Sequence, residues 1–271
     1  MIGTNLFLSG KSIKQIEREF NNELLILDEW FKSNLLSLNL SKTSYIIFGH
    51  KKYANLDIYF RGALLNRQHD TKFLGVILSA KLTWNKHIDM VLNKTSKCLG
   101  IISKVRHIIP LQLTRMLYLT LVEPYINYCN LVWCLPSNTV LLDKILKIQK
   151  RYCRLLTFSI YTAHSQPLFA QLNLLNIYDI YQFQLATYMY KIMNNHIPFL
   201  DHHIFISGSS IHNHDTRFKH DLRKPFCRTG KRQKAICFQG PTLWNRLSDD
   251  IRYAPSLCIF KNKLRSFLFS N

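Results

Sequence analysis

The sequence predicts an α+β fold, in which a small α/β N-terminal piece precedes a mainly α-helical remainder. Three observations predict it: a long helical pattern after Gly10, short strand-like segments as far as about residue 80, and helical spacing of apolar residues from Trp84 onward. The chain has 271 residues, of which 47% are hydrophobic and 13% aromatic. Such a chain can bury a substantial core.

The N-terminal piece, residues 1–80, is predicted to begin with a short strand at residues 5–8. Gly10 then separates this strand from a helix that Ser12 can cap. Apolar residues in this helix recur every three or four positions, which predicts one buried face. They are Ile13, Ile16, Phe20, Leu24, Leu27, Trp30 and Phe31.

Three short segments follow that are rich in β-branched and aromatic residues. They cover residues 44–48, 56–60 and 72–78, and glycine or asparagine separates them. This composition and punctuation predict the strands of one small sheet.

The remainder of the chain is predicted to form helices in two regions, 81–160 and 161–271. Proline residues at 110, 124 and 136 divide the first region into successive helices, the last of them at residues 140–156. Helices are also predicted at residues 177–194 and 256–269. Between them, residues 207–234 carry Gly, Ser and Pro together with many Lys and Arg, which predicts an irregular basic connector.

The charge of the chain favours a polyanionic partner. Lys and Arg total 36 against 16 Asp and Glu, a net charge of +20, and such an excess is typical of proteins that bind nucleic acid. An anionic membrane surface is the alternative. The seven cysteines show no CxxC spacing, and the chain has no signal peptide or spanning apolar segment. We therefore expect a nuclear or cytoplasmic protein that is neither secreted nor inserted in a membrane.

The predicted helix at residues 140–156 has two distinct faces. Its predicted buried face consists of Leu141, Ile145, Ile148, Tyr152 and Leu155. Beside it runs a row of cations about one turn apart, which we call the basic stripe: Lys144, Lys147, Lys150, Arg151 and Arg154. Such a row can follow the phosphates of a nucleic acid, and the alternative is a solvated helix face.

Other candidate sites are weaker. His212, His214, Cys227 and Cys237 include tetrahedral zinc ligands, but their spacing fits no familiar zinc motif, so no metal site is predicted. Trp84, Trp133 and Trp244, with Tyr125 and Tyr128, are better explained by core packing than by stacking on bases. No phosphate-binding glycine loop or hydrolase triad motif occurs.

Four stretches, in order, resemble the reverse transcriptases of jockey-like non-long-terminal-repeat retrotransposons. They are Leu-Ser-Leu-Asn-Leu-Ser-Lys-Thr at 36–43, Phe-Leu-Gly-Val-Ile-Leu at 73–78 followed by Leu-Thr-Trp at 82–84, Leu-Val-Glu-Pro-Tyr-Ile-Asn-Tyr at 121–128, and Gly-Pro-Thr-Leu-Trp-Asn at 240–245. Segments 214–217 and 260–261 also resemble the C-terminal region of that family. Together these stretches extend over nearly the whole chain.

The resemblance implies the end of a polymerase palm at residues 1–80, a helical thumb-like region at 81–160 and a helical C-terminal region at 161–271. In that family a pair of aspartates holds Mg²⁺ just before the strand that residues 4–7 resemble. Ile2 and Gly3 stand there in this sequence and offer no carboxylate. The resemblance thus implies a truncated fragment that binds RNA and DNA, has no cofactor of its own, lacks the N-terminal palm and fingers, and is inactive alone. The alternative is a non-catalytic module that binds nucleic acid or another protein.

Two features matched by the resemblance have roles in the family. Lys42 corresponds to a palm lysine that assists the departing pyrophosphate, and its alternative is a solvated lysine in a turn. Phe73, Leu74, Gly75 and Val76 resemble the primer grip, a tight turn lying against the primer end. A buried strand with a glycine bulge is the alternative for these four residues.

Overall fold

The computed structural model describes residues 4–49, 55–135, 137–197, 204–208 and 221–270. These residues form a mainly helical α+β fold with short strands, as the sequence predicts. The chain divides into two compact units, one as far as His87 and one from Ile88 onward. In the described part of the chain, no helix is long and apolar enough to cross a membrane.

The first unit is organised around helix α1, Ile13–Ser33. Ser12 occupies its N-cap position with an extended backbone, but the Ser12 side chain makes no capping hydrogen bond. Leu24 and Phe31 are buried as predicted, whereas Trp30 is 52% exposed, so its predicted burial is wrong. Asp28 is buried on this helix instead, because Lys32 and Arg61 form ion pairs with its carboxylate.

The strands of the first unit are shorter than predicted and form three two-stranded sheets rather than one. Strand β1, Ser44–Tyr45, pairs in parallel with β4, Asn66–Arg67, and β2, Tyr59–Phe60, pairs antiparallel with β3, Ala63–Leu64. Residues 5–8 form no strand, so that prediction is wrong: their backbone has no ladder partner within the described residues. Phe7 instead packs edge-on against Phe73, with ring centroids 5.8 Å apart.

The predicted strand at 72–78 is a hairpin. Strand β5, Asp70–Phe73, pairs antiparallel with β6, Val76–Ser79, in a four-residue register that closes on Phe73 opposite Val76. Leu74 and Gly75 both have positive φ, 44° and 83°, as a two-residue type I′ turn requires. The single strand and its glycine bulge are therefore wrong, and the tight turn is confirmed.

The second unit is helical, with its first elements divided near the predicted prolines. Helix α2 is Asn85–Val105, α3 is Leu111–Leu121, α4 is Glu123–Asn127 and α5 is Asn130–Trp133. The single helix predicted after Pro124 is thus broken in two, because Cys129 adopts a left-handed backbone with φ 49°. Left-handed residues interrupt the helical hydrogen-bond ladder.

The helices that follow complete the core of the second unit. They are α6, Thr139–Leu156; α7, Ser165–Gln171; α8, Ile177–Met193; α9, Gly230–Gln233; α10, Ile236–Trp244; α11, Asp249–Arg252; and α12, Leu257–Ser270. Helices α10 and α12 both pack against α8. The basic connector is not wholly irregular: α9 lies within it, and the Thr229 side chain caps that helix at the amide of Arg232. Residues 209–220 of the connector lie outside the described residues.

A buried polar side chain links three segments of this core. Gln149 on α6 is fully buried, and its amide nitrogen donates to the Tyr118 hydroxyl at 3.2 Å and to the Leu175 carbonyl at 3.3 Å. Its amide oxygen accepts from the backbone N–H of Ile177 at 2.8 Å, at the first residue of α8. Tyr118, whose pKa burial raises above its usual range, also packs edge-on against Tyr152. Gln149 therefore fixes where α8 begins relative to α6.

Candidate nucleic-acid interface

The basic stripe lies on the solvent side of α6. The buried face of this helix differs from the prediction: Leu142, Ile145, Tyr152 and Leu156 are buried, but Leu141, Ile148 and Leu155 are only partly so. The face is rotated because Gln149, a polar residue, is buried through its hydrogen bonds. The rotation carries the stripe farther from the core. Three stripe residues are exposed and two are half-buried; the exposed ones are Lys144, Lys147 and Arg151.

Arg154 is held by the protein itself. Its Nε donates to the Ala163 carbonyl at 3.0 Å, and its guanidinium carbon Cζ lies over the ring of Tyr161, 5.7 Å from the centroid. These contacts connect the end of α6 to the loop that follows. Arg154 therefore has a structural role, and the other four cations are better placed to contact a ligand.

No acidic side chain neutralises the stripe within the described part of the chain. None of the five cations forms an ion pair there. The nearby carboxylate of Asp143 accepts a hydrogen bond at 2.8 Å from the hydroxyl of Tyr178 on α8. Burial, followed by this hydrogen bond, raises the pKa of Tyr178 to about 12, so the hydroxyl keeps its proton at neutral pH. The stripe thus presents cations that form no ion pair with a described residue.

Tyr178 is a contact that the sequence analysis missed. Thirty-five residues separate it from Asp143, and no pattern in the chain pairs the start of α6 with the start of α8. The one local signal is Asn176, which caps α8 by accepting from the amides of Tyr178 and Asp179. That cap fixes the first turn of α8 and with it the ring of Tyr178.

The β5–β6 hairpin presents a mixed surface at its tip. Leu74 is 70% exposed, whereas Val76 is buried. The hairpin is held near its turn by His87, whose Nδ1 accepts from the amide of Ile77 at 3.3 Å, and at its base by an ion pair between Lys86 and Asp70. Burial lowers the pKa of His87, which favours the neutral imidazole that can accept this bond. The tip is therefore a firmly supported tight turn.

Lys42 ends a single 3₁₀ turn, Leu40–Lys42, immediately before β1. Its side chain is exposed and forms no ion pair with a described residue. This position fits a solvated lysine in a turn. Lys42 and the hairpin belong to the first unit, and the basic stripe belongs to the second.

The described residues contain no group of three or more His, Cys, Asp or Glu side chains that could hold a metal ion. Of the four zinc candidates, His212 and His214 lie outside the described residues. All seven cysteines are free thiols. Burial raises the pKa of both Cys134 and Cys153 to about 12, which leaves them as unreactive core thiols.

The chain is similar to one curated protein, described as a probable RNA-directed DNA polymerase from transposon X-element of Drosophila melanogaster. The two sequences are 24% identical over 155 residues, which is 56% of this chain and 17% of the fly protein. The aligned part is thus less than a fifth of that protein. No family model and no solved structure matches the chain. The similarity supports a reverse-transcriptase-like origin.

Proposed function

We propose that this chain is a reverse-transcriptase-derived polypeptide that binds template–primer nucleic acid and does not polymerise by itself. The observation that carries the proposal is the basic stripe, a row of five cations on α6, three of them exposed, that form no ion pair with a described residue. A row of cations one helical turn apart neutralises successive phosphates and releases their condensed counterions. The net charge of +20 extends the attraction over the whole chain.

The similarity to the X-element protein supports an RNA template and a DNA product as the ligands, because that protein is described as an RNA-directed DNA polymerase. We extend the proposal to a jockey-like, non-long-terminal-repeat origin, with residues 1–80 from the end of a palm, 81–160 from a thumb and 161–271 from the C-terminal region. The four motifs quoted above support this extension. A polypeptide that carries the N-terminal palm and fingers would be its partner.

The hairpin tip is proposed to lie against the primer end. Gly75 has a positive φ in this turn, and the lack of a side chain on glycine permits close approach of a ligand. Lys42 is proposed as a vestige of the lysine that neutralises pyrophosphate. Both assignments rest on the resemblance together with the exposure of Lys42 and Leu74.

The binding proposal is tested by the triple variant Lys144→Gln, Lys147→Gln and Arg151→Gln. Arg154 is left intact because its contacts with Ala163 and Tyr161 are structural. Fluorescence anisotropy with a labelled RNA–DNA hybrid should show weaker binding to every sequence alike. The dependence of log affinity on log salt should flatten by about 0.9 for each phosphate contact that is lost.

A matched control removes the same charge from another helix. Lys94, Lys97 and Lys104 on α2 are exposed and form no ion pair with a described residue, so their replacement by glutamine tests the effect of net charge alone. We expect the control to lose much less affinity than the stripe variant. Equal losses, or an unchanged salt dependence in a stripe variant that stays folded by circular dichroism, would reject the stripe as the interface. A protein-binding module would then be the better proposal.

A further inference from the structure

A cavity of about 190 Å³ lies in the second unit where the start of α6 meets α8 and α10. Its deep walls are apolar and buried, and they are formed by Leu142, Leu185 and Cys134. Toward solvent the lining changes to aromatic and polar side chains. Small-molecule sites have this construction, with apolar walls and a few polar groups that set orientation.

Three polar groups that line this cavity have no hydrogen-bond partner within the described part of the chain. They are the hydroxyl of Tyr181, the side-chain amide of Gln182 and the guanidinium of Arg246. Two other polar groups of the lining already have hydrogen-bond partners. The Tyr178 hydroxyl donates to Asp143, and the Gln239 amide nitrogen donates to the Gln233 carbonyl. The oxygen of the Gln239 amide remains as an acceptor. The cavity thus combines unused donors and acceptors with a cation.

The volume restricts the ligand. Pockets for drug-sized molecules usually measure roughly 300–1,000 Å³, so a cavity of about 190 Å³ suits a single flat heterocycle. Apolar walls accept the faces of such a ring, and amide and hydroxyl groups accept its polar edge. Arg246, which is exposed, adds a site for an anion next to the ring.

We propose that this cavity receives one unpaired base of a single-stranded nucleic acid, with Arg246 binding the phosphate of the same nucleotide. The proposal deepens the proposed function and rests on it. A duplex cannot supply this ligand, because its bases are stacked and their pairing edges are used. Unpaired bases, by contrast, are commonly read by stacking and by hydrogen bonds to their edges.

The location of the cavity connects it with the basic stripe. Leu142 forms part of its wall, and Tyr178, which also lines it, is held by Asp143 on the first turn of α6. Lys147 lies one helical turn after Asp143, which places their Cβ atoms about 6 Å apart. A strand with one base in the cavity can therefore continue its phosphates along the stripe.

The test compares two labelled probes, a short single-stranded RNA without self-complementarity and a blunt RNA–DNA hybrid of the same length. The variant is Gln182→Leu with Arg246→Gln, two positions whose side chains form no hydrogen bond or ion pair with a described residue. We expect its affinity for the single strand to fall roughly 5- to 100-fold, because hydrogen bonds to the base edge and to the phosphate are lost. Its affinity for the hybrid should change by less than about 2-fold, since the stripe is intact.

The matched control is Gln171→Leu with Arg228→Gln, two exposed positions outside the cavity whose replacement changes composition and charge equally. It should leave both affinities nearly unchanged. As a second measurement, single-stranded RNA that contains 4-thiouridine should photocrosslink to a peptide that includes Tyr178 or Tyr181. This crosslink should disappear in the cavity variant.

The outcomes separate the two proposals. If the cavity variant binds the single strand as the control does, or loses single-strand and hybrid binding equally, the base site is rejected while nucleic-acid binding stands. If the unmodified chain binds neither probe, the proposed function fails and the base site fails with it. A crosslink confined to other peptides also rejects the base site.

Discussion

At the scale of single residues, a polar side chain in the core determines the orientation of α6. Gln149 occupies a position that hydrophobic spacing assigns to the flank of the helix, yet it is fully buried and makes three hydrogen bonds. Periodicity ranks residues by polarity, so it placed Leu141, Ile148 and Leu155 at the centre of the buried face instead. The partners of Gln149 lie 26 to 31 residues away along the chain, where no sequence pattern could point to them.

Replacement of Gln149 by alanine should destabilise the second unit by about 2–4 kcal/mol, because it leaves the Ile177 N–H and the Leu175 carbonyl buried without their partner. Urea denaturation followed by circular dichroism measures the change. Gln171→Ala, at an exposed position on α7, is the control and should change stability by less than about 0.5 kcal/mol. A Gln149 variant as stable as this control would contradict the role given to the hydrogen bonds.

At the scale of elements, the sequence predicted the helices more accurately than the strands. The predicted helices at 140–156, 177–194 and 256–269 agree with α6, α8 and α12 to within one or two residues, because proline, capping residues and long apolar repeats mark them. Short strands contain too few residues to show a clear alternation of apolar and polar positions. The segment at 72–78, predicted as one strand, contains a two-residue turn. The helices α7, α9, α10 and α11, none longer than nine residues, were not predicted.

Substitution of two glycines by alanine should change the stability of the chain in opposite directions, because the two positions differ in backbone conformation. Gly75→Ala should destabilise the β5–β6 hairpin by about 1–2 kcal/mol, since φ of 83° at this position places a Cβ in a left-handed backbone. Gly100→Ala on α2 should stabilise the chain by about 0.5–1 kcal/mol, because an added Cβ there meets no atom within 4 Å. Thermal unfolding of both variants measures the difference. A Gly75→Ala variant at least as stable as the unmodified chain would contradict the turn assignment.

At the scale of the whole molecule, the composition and the order of the motifs predicted the origin of the chain and its kind of partner. The geometry of the sites was harder to predict from the sequence. The charge and the quoted motifs indicated a polymerase-derived, nucleic-acid-binding chain, and the similarity to the X-element protein supports the polymerase origin. The stripe could be read from a repeat along one helix. The cavity could not, because Leu142, Tyr181 and Arg246 come from three distant segments.

A polypeptide of this sequence should not extend a primer on an RNA template with Mg²⁺ or Mn²⁺. Two-metal phosphoryl transfer needs carboxylates that hold both ions, and Ile2 and Gly3 stand where the resemblance places the aspartate pair. Changing both residues to aspartate should not restore synthesis, since the third carboxylate and the nucleotide pocket have no counterpart in this sequence. Gel-based primer extension against a no-enzyme control measures this, and template-dependent product from either polypeptide would overturn the expectation.

The tip of the β5–β6 hairpin carries a residue that does not suit its turn, and this position is therefore a target for protein engineering. Two-residue turns of this geometry favour Asn-Gly or Asp-Gly, whereas this tip carries Leu74, an apolar side chain that is 70% exposed on a backbone with φ of 44°. Neither the exposure nor the backbone suits a leucine, so the strands and their supports, His87 and the Lys86–Asp70 pair, must hold the turn in place. Replacement of Leu74 by asparagine therefore suits the existing backbone and removes an exposed apolar side chain from the surface.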